Sequence, residues 1–285
     1  MRYTEAESRR VEVNGVVLNL TDWGGAGRGV LFSHATGFLG AVWEPVIAEL
    51  RSGGFGGRIL TYDQRGHGLS SKPDSGYDWN TFVRDLGALM EAEGLAGLLG
   101  VGHSAGATTV ACLAADQPGC FSRLLLIDPI LFDPEEMGAA GGQSNPLAER
   151  ARTRRMVWAS REELSASFGS RPPYDSWGAE ALAVYVDYGS FERPDGEVEL
   201  LCPGRIEAQV YANAGGLDGF ARLAGVAVPT LIVRGRDSDA FPAQRAARTV
   251  ATIPGSRLVT VDGSHFVVME RPAEIARLVV AEAES

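Results

Sequence analysis

Lysine is nearly absent from this 285-residue chain: Lys72 is the single one, and arginine supplies the rest of the 26 basic residues. We read this as the compositional bias of a GC-rich genome rather than as a functional signal. Acidic residues number 36, so the net charge is −10 with the four histidines neutral. That balance excludes the electrostatic footprint of a nucleic-acid binder or of a protein held on an anionic membrane. Cysteine is scarce: Cys112, Cys120 and Cys202 are odd in number and lack metal-ligand spacing. A complete intramolecular disulfide framework is therefore excluded, and reduced, buried thiols in a cytoplasmic protein are expected. No apolar run approaches the roughly 20 residues of a membrane span. Met1 to Glu7 carry charge and no apolar core, so a secretory signal is not expected. The chain has no internal repeat, no low-complexity tail and no P-loop lysine. Gly24-Gly25-Ala26-Gly27 lies between a hairpin and a strand and reads as a turn. Neither a metal nor a cofactor is expected.

What is present is alternation. Val11-Glu12-Val13 and Val16 to Leu20 flank Asn14-Gly15, a strong hairpin signal. Short apolar strands then alternate with helices as far as Leu124 to Asp128. This argues for a mostly parallel sheet with helices on both faces, an α/β fold. From about Ile130 to Gly225 the rhythm stops. This stretch holds Gly141 to Pro146, an arginine-rich helix around Arg150–Arg161, and the aromatics Trp158, Phe168, Tyr174, Trp177, Tyr185, Tyr188, Phe191 and Tyr211. Alternation resumes at Val228 to Val233, the seventh strand, and continues through Arg257 to Val261 and a helix from about Pro272 to Ala283.

Between the strand Leu98 to Val101 and the helix opening at Ala107 lies Gly102-His103-Ser104-Ala105-Gly106. A Gly-x-Ser-x-Gly at a strand-to-helix turn is a nucleophile elbow. The turn strains the serine backbone and requires nearly side-chain-free flanks. It lifts the Ser104 hydroxyl to the top of a parallel sheet. The Ala105 N–H, at the helix start, faces the same space, where an oxyanion forms.

Three more motifs fall in order: His34-Ala35-Thr36-Gly37, Asp63-Gln64-Arg65-Gly66-His67-Gly68 and Gly263-Ser264-His265. With these four in register the chain resembles the α/β-hydrolase superfamily, over nearly all its length except roughly residues 131–225. The resemblance implies an eight-stranded, mostly parallel sheet with a helical cap inserted after the sixth strand. Residues 1–130 and 226–285 would form the core domain and 131–225 the cap. Most cap aromatics are then expected to form its own small core. A minority would line the pocket, with Trp158, Tyr174, Trp177, Tyr185 and Tyr188 as candidates.

A serine nucleophile needs a base within hydrogen-bond reach. His103 adjoins Ser104, but neighbouring side chains on such a turn diverge. His34 shapes the oxyanion loop in resembling enzymes, and His67 sits in a tight structural turn. His265 remains, by elimination and by position. The second oxyanion donor would be the Thr36 backbone, although Ala35 stands where the family often has glycine. Asp63 and Arg65 read as braces of the turn under the site.

The triad acid stays open. Most family members place it after the seventh strand, where this chain reads Gly235-Arg236-Asp237-Ser238-Asp239 and puts Ser238 in the usual position. Asp237 and Asp239 flank it. Asp128 ends the sixth strand, where some superfamily members carry the acid, and a carboxylate ending a buried apolar strand is otherwise expensive. Asp128, Asp239 and Asp237 are weighed in that order.

These readings imply a cofactor-free serine hydrolase that forms an acyl-enzyme on Ser104. Its substrate would be a small or medium-sized, fairly apolar carbonyl compound, by default a carboxylic ester or lactone. The alternatives are carbon–carbon bond hydrolysis with the same triad, or a ligand sensor on a hydrolase scaffold. Haloperoxidase or perhydrolase chemistry fits as a side reaction. Haloalkane dehalogenase and epoxide hydrolase activities are disfavoured, since those families need Asp where Ser104 stands. No nucleic-acid or membrane partner is expected, and a homodimer is left open.

Overall fold

Asn14 and Gly15 adopt positive φ angles of 47° and 71°, the turn that matches the twist of two antiparallel strands. They join β1 (Glu7–Val13) to β2 (Val16–Asp22), with Val13 opposite Val16. This computed structural model describes residues 2–132 and 145–285. The chain continues through β3 (Val30–Ser33), α1 (Glu44–Ser52), β4 (Ile59–Asp63), α2 (Trp79–Ala92), β5 (Leu98–His103), α3 (Ala105–Asp116) and β6 (Phe121–Ile127). Then come α4 (Pro146–Thr153), β7 (Val157–Trp158), α5 (Arg161–Gly169), α6 (Ala179–Tyr188), β8 (Ser190–Glu192), β9 (Val198–Leu200), α7 (Gly204–Ala212) and α8 (Gly219–Leu223). The last part is β10 (Thr230–Gly235), α9 (Ala243–Thr252), β11 (Arg257–Val261), α10 (Val267–Glu270) and α11 (Pro272–Glu284).

Eight strands form one sheet in the order β1-β2-β4-β3-β5-β6-β10-β11. β1, β2 and β4 pair antiparallel in succession, and every other neighbour is parallel. Alternate side chains of a strand feed opposite faces: Leu31 joins the core under α2 and α3, while Val30 and Phe32 join the core under α1 and α11. The chain reverses its direction of travel across the sheet between β3 and β5. The loops leaving β3, β5, β6, β10 and β11 all open at the carboxyl edge, the usual place for a ligand in such sheets.

Two expectations for the insertion need correction. Arg150–Arg161 is not one helix: α4 ends at Thr153, β7 intervenes, and α5 starts at Arg161. The β-favouring pair Val157-Trp158 and the cap at Ser160, which accepts from the Glu163 N–H at 3.2 Å, break the run. The insertion also contains a three-stranded sheet, β7-β9-β8, beside its helices. Nor do most of its aromatics form a core of their own, although Tyr211 packs on a small cluster of Ala148, Ala151 and Ala208 within the insertion. Trp158, Phe168, Trp177 and Tyr185 share a cluster with Phe38 and Trp43, because α6 packs on the segment that follows β3. The glycine-rich stretch Gly141 to Ser144 lies outside the described residues. Among the described residues no helix is long and apolar enough to cross a membrane.

Candidate active site

Ser104 follows β5 directly and has φ 57° and ψ −122°, a conformation that costs a non-glycine residue energy and is held by its surroundings. The sequence permits the turn because the residues two positions before and after Ser104, Gly102 and Gly106, have no side chain. A Cβ on Gly102 would lie 2.5 Å from the Ala107 backbone, and one on Gly106 would lie 2.4 Å from the Ser33 carbonyl. Ser104 is thereby pinned where β5 meets α3, with its N–H donating to the Ile127 carbonyl at 3.0 Å.

Three residues far apart in sequence meet there. His265 Nε2 lies 3.0 Å from Ser104 Oγ, and His265 Nδ1 lies 2.9 Å from Asp128 Oδ2. The His265 side chain is 14% exposed and Asp128 is fully buried. Asp128 is in the left-handed region at φ 46°, and its N–H donates to the Val233 carbonyl at 2.8 Å, so the strand end turns the carboxylate toward the imidazole. Its other oxygen, Oδ1, accepts from the Gly235 N–H at 2.8 Å. Ser238 donates its hydroxyl to Oδ2 and accepts from the Phe241 N–H at 3.1 Å. Both oxygens of this buried carboxylate are therefore hydrogen-bonded. Of the three candidate acids only Asp128 meets the imidazole; Asp237 and Asp239 are exposed on the loop after β10.

The histidine loop is fastened from two sides. His103 Nε2–H donates to the His265 carbonyl at 2.8 Å, and burial, with the nearby His265, pushes its pKa down to about 3. Ser264 donates through its N–H and Oγ–H to the two Glu270 oxygens at 2.7 and 2.6 Å. His103, though next to Ser104 in sequence, thus supports the His265 backbone.

The loop after β3 is shaped by two buried imidazoles. His34 donates from Nδ1 to the Ala35 carbonyl at 2.8 Å and accepts at Nε2 from the Gln64 N–H at 3.0 Å. His67 donates from Nδ1 to the Arg65 carbonyl and accepts at Nε2 from the Gly37 N–H, both at 3.0 Å. Each ring must be neutral to make both bonds. Burial favours that form, holding His34 well below the usual histidine range and His67 at about 4. With the Gly37 N–H committed to His67, the N–H groups of Thr36 and Ala105 have no acceptor among the described residues. Asp63 braces the adjoining turns by accepting from the Gly40 and Leu69 N–H groups at 2.7 and 2.8 Å. Arg65 pairs not with Asp63 but with Asp85, at 2.5 and 2.8 Å.

The candidate pocket aromatics separate. Trp177 and Tyr185 pack on Phe38 with ring centroids 5.4 and 5.3 Å away, and Trp177 lies 5.8 Å from Phe266, which itself lies 5.3 Å from His265. Tyr174 stacks on Phe168 at 4.4 Å, one ring farther out. Trp158 also packs on Phe168, and Tyr188 packs on Tyr3, both away from the His265 loop. Sequence reasoning missed Phe38, Phe266 and Ser238 as neighbours of the site. Only Ser238 left a signal, by standing in the usual acid position. Among the described residues no cluster of His, Cys, Asp and Glu could hold a metal.

The family model described as "Alpha/beta hydrolase family" matches residues 30–278. The chain belongs to this family. It is 31% identical over 270 residues to 2-(acetamidomethylene)succinate hydrolase of Mesorhizobium japonicum, covering 94% of this chain and 91% of that one. It is 26% identical to a non-heme chloroperoxidase of Streptomyces lividans, over 85% of this chain and 86% of the other. Among solved structures, that of E-2-(acetamidomethylene)succinate hydrolase superposes with a TM-score of 0.85 at 27% identity, covering 98% and 100% of the two chains. The eight-stranded sheet is therefore that of an alpha/beta hydrolase, and the protein is placed among the hydrolases.

Proposed function

We propose that this alpha/beta hydrolase cleaves a carboxylic ester or lactone through an acyl-enzyme on Ser104. The observation that carries the reading is the continuous path Ser104 Oγ, His265 Nε2, His265 Nδ1, Asp128 Oδ2, with contacts of 3.0 and 2.9 Å. His265 takes the hydroxyl proton as Oγ attacks the carbonyl carbon. Asp128 holds the imidazole in the tautomer that leaves Nε2 free to accept, and stabilises the imidazolium. The negative charge on the carbonyl oxygen falls to the N–H groups of Ala105 and Thr36, which have no protein acceptor among the described residues. His265 then protonates the leaving alcohol and activates water for deacylation. In this reading the described part of the insertion, residues 145–225, roofs the site, and Trp177 and Tyr185 form its apolar wall. The test is multiple turnover of p-nitrophenyl butyrate by the wild type and its loss in Ser104→Ala. A single slow cleavage followed by arrest would mark a sensor instead, and no cleavage of any ester would remove the reading.

A further inference from the structure

A second polar cluster lies against the loop that carries the proposed Thr36 donor. Arg154, just after α4, pairs through Nη1 with Glu207 of α7, although their side chains are only 17% and 10% exposed. Its Nη2 lies 3.4 Å from the Tyr185 hydroxyl, and that hydroxyl donates to the Gly37 carbonyl at 3.3 Å. The approach is close enough that a Cβ on Gly37 would lie 2.8 Å from Glu207 Oε1. The cluster thus reaches the neighbour of Thr36 through one phenol. On its other side Tyr185 faces Phe38 and Trp177. The Trp177 indole N–H is buried and has no acceptor among the described residues.

Burying an ion pair is neutral at best for stability, and apolar residues of similar volume often serve better. A guanidinium has five N–H donors in a planar fork. Here Glu207 and Tyr185 engage one nitrogen each, and Nε has no acceptor among the described residues. An unfilled donor fork next to an apolar wall suits an apolar chain ending in a planar anion. Glu207 would keep the cluster neutral while the site is empty. The unpaired Trp177 N–H is a second donor on the same wall.

We infer that Arg154, aimed by Tyr185 and Glu207, is a carboxylate subsite, and that the favoured substrate is an acyl compound bearing a free carboxylate away from the cleaved bond. This rests on the serine-hydrolase reading and names its substrate class. The most direct comparison is monomethyl glutarate against methyl 5-methylhexanoate, in which an isopropyl group replaces the carboxylate at equal shape. Monomethyl succinate and monomethyl adipate vary the length. For at least one length the wild type should favour the anionic ester in kcat/KM by about tenfold or more, since a site built to hydrogen-bond a group rejects the analogue that lacks it. The variant Arg154→Gln with Glu207→Gln keeps the cluster neutral and able to hydrogen-bond, and should lose at least about tenfold of that preference. A ratio near one at every length in the wild type overturns the inference, as does an unchanged ratio in the folded double variant. A thermal shift by glutarate dianion tests the subsite without turnover: the melting temperature should rise in the wild type and not in the double variant. If Ser104 takes no fluorophosphonate and neither ester is cleaved while glutarate still stabilises the wild type alone, the serine-hydrolase reading has failed and the anion subsite stands. If esters are cleaved and glutarate has no effect, the anion subsite has failed and the serine-hydrolase reading stands.

Discussion

Asp128→Asn is the sharpest perturbation of the site, because the geometry leaves the amide no good orientation. Three donors converge on the carboxylate: the Gly235 N–H on Oδ1, and the Ser238 hydroxyl and His265 Nδ1 on Oδ2. If the amide nitrogen takes the Oδ2 position, it faces two donors. His265 must then switch tautomer and place its proton on Nε2, where it can no longer accept from Ser104. If the nitrogen takes the Oδ1 position, it faces the Gly235 N–H, a buried clash of donors that costs about 1–3 kcal/mol of stability. The tautomer switch is the effect behind a loss of about 10⁴ in a serine protease. We expect turnover of p-nitrophenyl butyrate to fall by about 10²–10⁴, or roughly 3–5 kcal/mol of transition-state stabilisation. Asp237→Asn and Asp239→Asn, on exposed side chains, should each stay within about threefold of wild type. Circular dichroism and a melting curve separate folding from catalysis. Near-normal turnover in folded Asp128→Asn, or a larger loss at either loop aspartate, would rule out Asp128 as the group that orients His265.

Ser238→Ala removes the hydroxyl bond to Asp128 and strands the Phe241 N–H. It should lower kcat by about tenfold, corresponding to about 1.4 kcal/mol, with a smaller change in KM, as steady-state kinetics would show. Trp177→Ala and Tyr185→Ala should change the preference among acyl chain lengths, whereas Trp158→Ala and Tyr188→Ala should lower the melting temperature with the preference retained. Acid should weaken the fold through its buried neutral histidines. His67 is held at about 4 against an unfolded value near 6.5, so the unfolded chain binds more protons between those pH values and stability falls as pH drops through that window. From this residue alone the loss is about 2 kcal/mol at pH 5 and about 3 kcal/mol at pH 4. Urea denaturation from pH 7 to pH 4 should show it, and a flat profile would contradict it.

The fold was legible where local chemistry and tertiary packing agree. Asn14-Gly15 demanded a tight hairpin, and the chain turns there between β1 and β2. β5 runs two residues past its expected end, to His103, because Gly102 and His103 still pair with β6 before the elbow. The insertion was poorly legible because its apolar residues follow neither period. They pack on loops of the body, so no face of Arg150–Arg161 announces the break at β7. At the site, the Gly-x-Ser-x-Gly spacing and the last loop pointed to Ser104 and His265, which the fold brings to hydrogen-bond distance. The sequence left three aspartates open, since only the positive φ of Asp128 and the pairing of β6 with β10 decide which carboxylate reaches the imidazole. Arg154 and Glu207, 53 positions apart, carried no local signal at all.

We propose that one activated hydroxyl, on Ser104, forms a covalent acyl intermediate. Intact-protein mass spectrometry after reaction with a fluorophosphonate, with peptide mapping of the adduct, tests it most directly. Addition should be stoichiometric on Ser104, abolished in Ser104→Ala and slowed in Asp128→Asn. Persistent ester turnover by wild type without any adduct, or an adduct that maps to another residue, would contradict it.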